Sequence, residues 1–175
     1  MMIGLKRGVV KLKYYNKEWT KLYDKEAKLI SSIISDYLVD IQHIGSTAIP
    51  GTIAKPIIDI AVAIDNLSNT KQIVKLLEEE GYEYRGEQGI PDRHLFVKGD
   101  EECRTHHIHV MINTSFEWKK HILFRDFLKQ HPAEAKQYSE LKMKLAKEFE
   151  HDRGKYTDGK EEFILGIIEK AKENN

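Results

Sequence analysis

The period of the apolar positions changes several times along the chain, and each change marks an element. Over 9–15, apolar and basic residues alternate with β-branched and aromatic content, which predicts a short strand or an extended arm. Asn16 then stands where a side chain can cap a helix. Trp19, Leu22, Tyr23, Ala27, Ile30, Ile33 and Ile34 recur at helical spacing, predicting an amphipathic helix over 17–36. A strand is expected over 39–44. The stretch 56–64, Pro-Ile-Ile-Asp-Ile-Ala-Val-Ala-Ile, is nearly continuous in apolar residues and predicts a strand buried on both faces. A second helix is expected over 68–80, with Ile73, Val74, Leu76 and Leu77 facing inward and Gly81 ending it. Three more strands are expected at 82–85, 93–98 and 105–112.

The remainder reads as helix. Thr114 and Glu117 have capping-box spacing ahead of a helix to about 130, and Pro132 suits the first turn of the next, to about 151. Asp158 is expected to open a last helix ending near 171. Helices and strands alternate and then give way to helix alone. That order predicts an α+β fold (an α/β-type mixed sheet) with a C-terminal helical cap, as one domain over 1–175 with its core at about 9–171.

Composition narrows the function classes. The chain is 41% hydrophobic and 32% charged, which fits a globular protein with a well-hydrated surface. Lys plus Arg and Asp plus Glu both total 28, so the formal net charge is +0. A balanced charge argues against a protein that holds nucleic acid mainly by electrostatics. With one cysteine, Cys103 in a charged turn, no disulfide framework is expected, and a cytoplasmic setting is the simplest reading. No apolar run approaches the roughly 20 residues of a membrane span, and the first eight residues are too few and too polar for a signal peptide.

The chemistry concentrates in His43-Ile44-Gly45-Ser46-Thr47-Ala48-Ile49-Pro50-Gly51, followed by Ala54-Lys55-Pro56-Ile57-Ile58-Asp59-Ile60. Gly45 lets backbone approach a ligand, and Ser46 and Thr47 offer hydroxyls beside exposed N–H groups, a combination that suits a phosphate. Asp59 is an acid in an apolar strand and calls for a cationic partner, for which Lys55 and Mg²⁺ are candidates. The plainer alternative is an ordinary turn followed by an Asp that binds backbone amides. His43 reads as a general base or, in preference, a hydrogen bonder behind the site. Arg93 and Arg125 are candidate anion clamps, with a structural ion pair an equal alternative. Asp126 is the less suitable partner for Arg125, because adjacent helical residues diverge. Tyr156 and Lys160 either close the cleft from the cap or, in preference, lie on the surface.

The two quoted stretches resemble the hallmark of the GrpB family. Trp19, Gly81-Tyr82, Arg93-His94-Leu95-Phe96, His107-Ile108-His109-Val110, Phe124-Arg125-Asp126-Phe127-Leu128, and Tyr156 with Lys160 fit the same family in the same order. The resemblance implies a nucleotidyltransferase-like fold, whose pattern is a strand, Gly-Ser, then Asp-x-Asp or Asp-x-Glu on the next strand. Such paired carboxylates hold two Mg²⁺ ions for in-line nucleotidyl transfer. Gly45, Ser46 and Asp59 match; the second carboxylate does not, because that position is Ala61.

His107 and His109 share a strand face and are expected to fill that gap. With Asp59 they would make a two-His, one-carboxylate set for a divalent metal, Mg²⁺ or Mn²⁺ or, by donor type, Zn²⁺. The alternative is that they hydrogen-bond within a polar cleft. Two functions follow. One is a nucleotidyltransferase-like enzyme that binds a nucleoside triphosphate or another phosphorylated small molecule. The other is a non-catalytic module that kept the fold without the second carboxylate and either binds a ligand or serves a protein partner, since the family's domain also occurs fused to dephospho-coenzyme A kinase as a folding or regulatory accessory. This chain shows no Gly-x-x-x-x-Gly-Lys-Ser/Thr loop of its own, so it is expected to be the stand-alone form.

Overall fold

The computed structural model describes residues 3–173. Its centre is a five-stranded mixed sheet made of β2 (Leu38–Ile44), β4 (Ile58–Ile64), β5 (Glu83–Tyr84), β6 (His94–Lys98) and β7 (His106–Ile112) in the order β2-β4-β7-β6-β5. The β4–β7 pair is parallel and every other pair is antiparallel. The apolar run of β4 is explained by its place between β2 and β7: every residue of it except Asp59 is buried.

Strand alternation divides the core. Ile58, Ile60, Val62 and Ile64 face one side, where they meet Trp19, Ile30 and Ile34 of α1 (Glu18–Ile33) and its C-cap, and Ile73 and Leu77 of α2 (Thr70–Glu79). Asn16 accepts a hydrogen bond from the Glu18 N–H at 2.9 Å and so starts α1. Gly81, at φ +83°, ends α2. On the opposite face Ala61 packs with Ile44, Met111 and the α3 residues Trp118 and Ile122. Helix α3 (Phe116–Gln130) is capped by Ser115, which accepts from the Trp118 N–H at 3.2 Å.

Beyond α3 lies the helical cap: α4 (Pro132–Glu148), α5 (Arg153–Asp158) and α6 (Glu161–Glu173), joined to α3 through Phe124, Tyr138 and Ile167. Asp158 closes α5 rather than opening the last helix. The break falls at Gly159, where a Cβ would come 2.6 Å from Leu145 of α4, so the chain turns at its closest approach to that helix. The segment expected at 9–15 is mostly an extended arm. Only β1 (Lys13–Tyr14) pairs, with the short β3 (Ile53–Ala54). The arm still ties the molecule together, since Leu5 and Arg104 exchange backbone hydrogen bonds and the Val10 N–H donates to the Glu150 carbonyl.

Candidate functional site

Three neighbouring segments meet at the end of the sheet. The β2 strand delivers Gly45 and Ser46, β4 delivers Asp59, and β7 delivers His107 and His109. The register sets Asp59 beside His107 and Ala61 beside His109. Both histidines therefore lie on the Asp59 face, while His106 is buried on the opposite one. Asp59 Oδ1 is 3.2 Å from His107 Nδ1 and 3.6 Å from His109 Nε2. Burial opposes ionisation of Asp59, but the hydrogen bonds from the two imidazoles lead the effects that outweigh it and hold the carboxyl well below its usual range. The partner expected at Lys55 is thus supplied by histidines, and Lys55 lies instead over the Tyr156 ring, 5.3 Å from its centroid.

Gly45 is required by this geometry. Its φ is +67°, and an added Cβ would fall 2.7 Å from Asp59 Oδ2. The close approach that the glycine permits is made by the Asp59 carboxylate.

The donor set was expected to hold a metal, and its hydrogen bonds oppose that. Arg93 Nη1 lies 3.1 Å from His109 Nδ1. A guanidinium can only donate, so His109 Nδ1 accepts and the ring proton sits on Nε2, facing Asp59. A ligating imidazole ordinarily passes its second N–H to an acceptor; a cation at Nε2 would set two donors against each other at Nδ1. Ala61, fully buried under α3, supplies no second carboxylate. Among the described residues no three His, Cys, Asp or Glu side chains are grouped as metal ligands.

What surrounds Asp59 is basic. A cavity of about 340 Å³ lies between the sheet and the cap, lined by Gly45, Ser46, Thr47, Asp59, His107 and His109 on the sheet side. The helices add Lys120, His121, Tyr138, Lys142, Arg153, Tyr156 and Lys160. Counting Lys55, five Lys or Arg side chains line it against one carboxylate. Lys142, 1% exposed, donates to Ser46 Oγ at 2.8 Å and to the Ile53 carbonyl. Lys160 lies 4.5 Å from the centroid of Tyr156. Burial pushes Lys55 and Lys160 down to about 8 and Lys142 well below the ordinary lysine range, each helped by its cationic neighbours.

The sequence pointed to some of these groups and misplaced others. Tyr156 and Lys160, read by preference as surface residues, line the cavity, because α5 folds back over it and buries Tyr156 to 1% exposure. Arg93 and Arg125 lie outside the lining. Arg93 also donates to the carbonyls of Glu87 and Gln88, which fixes that loop. Arg125 donates to the His43 carbonyl, to Gln42 and to Asp126, the last at 2.7 Å. Asp126 does reach its neighbour, accepting from the Arg125 Nε–H. His43 sits behind the turn, its Nε2 2.9 Å from the Thr47 hydroxyl and its ring stacked on Tyr23. Burial lowers it to about 4. Lys142 belongs to none of the motifs, although its position in the sequence carries a signal. It falls on the stripe Tyr138, Lys142, Leu145, where a core helix keeps apolar residues.

Sheet order, Gly-Ser turn and Asp59 together define a nucleotidyltransferase-like fold. A crystal structure of the Cid1 poly(U) polymerase aligns over 78% of this chain and 44% of that one, with a TM-score of 0.51 and 16% identity. The chain belongs to the GrpB family, described as GrpB protein, whose model matches residues 9–170. It is 36% identical over 171 residues to the glutamate-rich protein GrpB of Alkalihalophilus pseudofirmus, covering 95% of this chain and 98% of that one. It is also 36% identical over 163 residues to the UPF0157 protein YqkA of Bacillus subtilis, covering 93% of this chain but 47% of that protein, about half its length. The crystal structure of the conserved protein GrpB from Enterococcus faecalis superposes with a TM-score of 0.85 at 33% identity, over 92% of this chain and 96% of that one. No helix among the described residues is long and apolar enough to cross a membrane.

Proposed function

We propose that this protein binds a nucleotide or another phosphorylated small molecule in the cavity between sheet and cap, its phosphates held by lysines. The observation that carries the reading is that Lys55, Lys142 and Lys160, from three segments, line one cavity with Ser46, which Lys142 contacts, so that five Lys or Arg side chains stand against one carboxylate. Partly desolvated ammonium groups that crowd one another gain most from an incoming anion. The apolar wall of Phe124, Tyr138 and Ile164 suits a base or another flat group. The Cid1 polymerase, which shares the fold, has been solved with GTP and magnesium bound.

The reading is of binding ahead of two-metal transfer. Ala61 removes the second carboxylate, and His109, its neighbour in register, fills the space beside Asp59. A divalent ion would also enter a field set by five cations. The test is thermal stability with each nucleoside triphosphate, with and without Mg²⁺, Mn²⁺ or Zn²⁺, for the native chain, Lys160→Ala and Asp59→Ala. A ligand that binds only the folded state raises the melting temperature. The expected result is a nucleotide shift that persists in chelator and shrinks in Lys160→Ala. A shift that needs metal and vanishes in Asp59→Ala would restore the transferase reading. No shift with any nucleotide at millimolar concentration would end the proposal in favour of an accessory module with a protein partner.

A further inference from the structure

A second cavity, about 120 Å³, adjoins the first across a wall formed by Lys55, Ile57, His107 and Arg153. Four arginines and two lysines line it, and no carboxylate does. Three remote parts of the chain build it: the N-terminal arm gives Arg7, the connections after β5 and before β7 give Arg85 and Arg104, and the cap gives Arg153. Apolar residues such as Leu95 and Val97 line it as well. Arg104 is 5% exposed, and its buried Nη1 donates no hydrogen bond, with the Glu83 carboxylate 3.5 Å away.

The geometry points to a second phosphate site, for the phosphate group of a small molecule other than the one in the main cavity. One guanidinium fork satisfies a planar carboxylate, whereas several arginines on different walls match the oxygens of a tetrahedral anion. The acidic partners of these arginines stand outside the lining. Glu83 and Glu101 hold Arg85, and Glu101 holds Arg7, but the two carboxylates are 54% and 62% exposed. Exposed pairs of that kind contribute little and give way to a buried dianion. Because Lys55 and Arg153 face both cavities, two bound phosphates would share a cationic wall. The proposal rests on the main-cavity reading only for that shared wall.

The experiment is an NMR titration of the full chain with inorganic phosphate, following arginine Nε–H signals and backbone amides, without ATP and with saturating ATP. The expected result is that phosphate moves the Arg7, Arg85 and Arg104 signals in both conditions. ATP alone should move the Gly45 and Ser46 amides. In Arg7→Gln/Arg85→Gln, phosphate affinity should fall at least tenfold while the ATP response persists; both side chains are solvent-accessible, so folding is retained. Phosphate that moves only the Gly45, Ser46 and Lys142 region, or nothing, overturns the second site. ATP without effect at Gly45 and Ser46 overturns the main-cavity reading and leaves the arginine response standing by itself.

Discussion

Gly45 and Asp59 act as a pair. The carboxylate occupies the space a side chain at 45 would need, and the backbone there lies in the left-handed region. Gly45→Ala should therefore cost about 1–3 kcal/mol in urea unfolding. Much of the clash disappears in the double variant Gly45→Ala/Asp59→Ala, so the two losses should be clearly less than additive. Full additivity would mean that backbone strain alone makes the glycine necessary. Ala61 and His109 form the other small-large pair: the methyl group leaves room on the face where the imidazole reaches Asp59. A glance at Asp-x-Ala exposes the missing carboxylate, and His-x-His alternation exposes its neighbours. The orientation of His109 is set by Arg93, which lies 16 residues earlier, so no local pattern reveals it.

At the level of elements, the parallel β4–β7 pair and helix α4 carry the site. The pair could be read from the chain because a continuous apolar run marks a central strand and period two marks the histidine face. The cap was harder, since helical periodicity says which residues turn inward but not toward what. Lys142 lies on the inward stripe of α4, so the sequence held the clue that it is buried; that it meets Ser46 depends on packing across 96 residues of chain. Lys142→Met keeps similar volume and removes a buried charge, while leaving the Ile53 carbonyl without its donor. These effects offset, so stability without ligand should stay within about 1 kcal/mol. The nucleotide-dependent melting shift should nonetheless fall by more than half. A large loss of stability with an intact shift would make Lys142 a structural residue only.

For the whole molecule, an equal number of acids and bases conceals an uneven distribution. The formal net charge is +0, yet the main cavity gathers five cations around one acid. Composition excluded a uniformly basic protein and was silent about this concentration. The buried bases shape the response to pH in the same sense at two ends of the scale. His43 falls from 6.5 to about 4 on folding, and His121 to about 3, both mainly through desolvation. The unfolded chain then holds more protons between those values, so stability is lost as pH falls from about 6.5 toward 4. For His43 alone the linkage amounts to about 2 kcal/mol at pH 5, and the melting temperature should drop visibly between pH 7 and 5. A flat profile there would contradict neutral, buried histidines.

Lys55 and Lys160 work at the alkaline end, where folding lowers each from 10.5 to about 8. Without ligand, stability should rise with pH between 8 and 10.5, because the unfolded chain binds the additional protons. A bound phosphate restores their charge. Nucleotide binding at pH 8.5 should take up protons, seen by calorimetry in buffers of different ionisation enthalpy, and affinity should weaken as pH rises above 8. Binding with no proton uptake would mean that neither lysine meets the anion.

The arm that joins sheet to cap has a consequence for the order in which the molecule is completed. Val10 leaves the ribosome 140 residues ahead of its acceptor at Glu150. At ordinary rates of synthesis that interval is on the order of ten seconds. Throughout it the arm has its partners on the sheet side, at Ile53, Ala54 and Arg104, but not those on the cap, and the cavity that Arg7 lines still lacks Arg153. The arm is therefore among the last segments to be fully tied down, and a nascent chain stalled before Glu150 would leave the part around Val10 to chaperones and proteases.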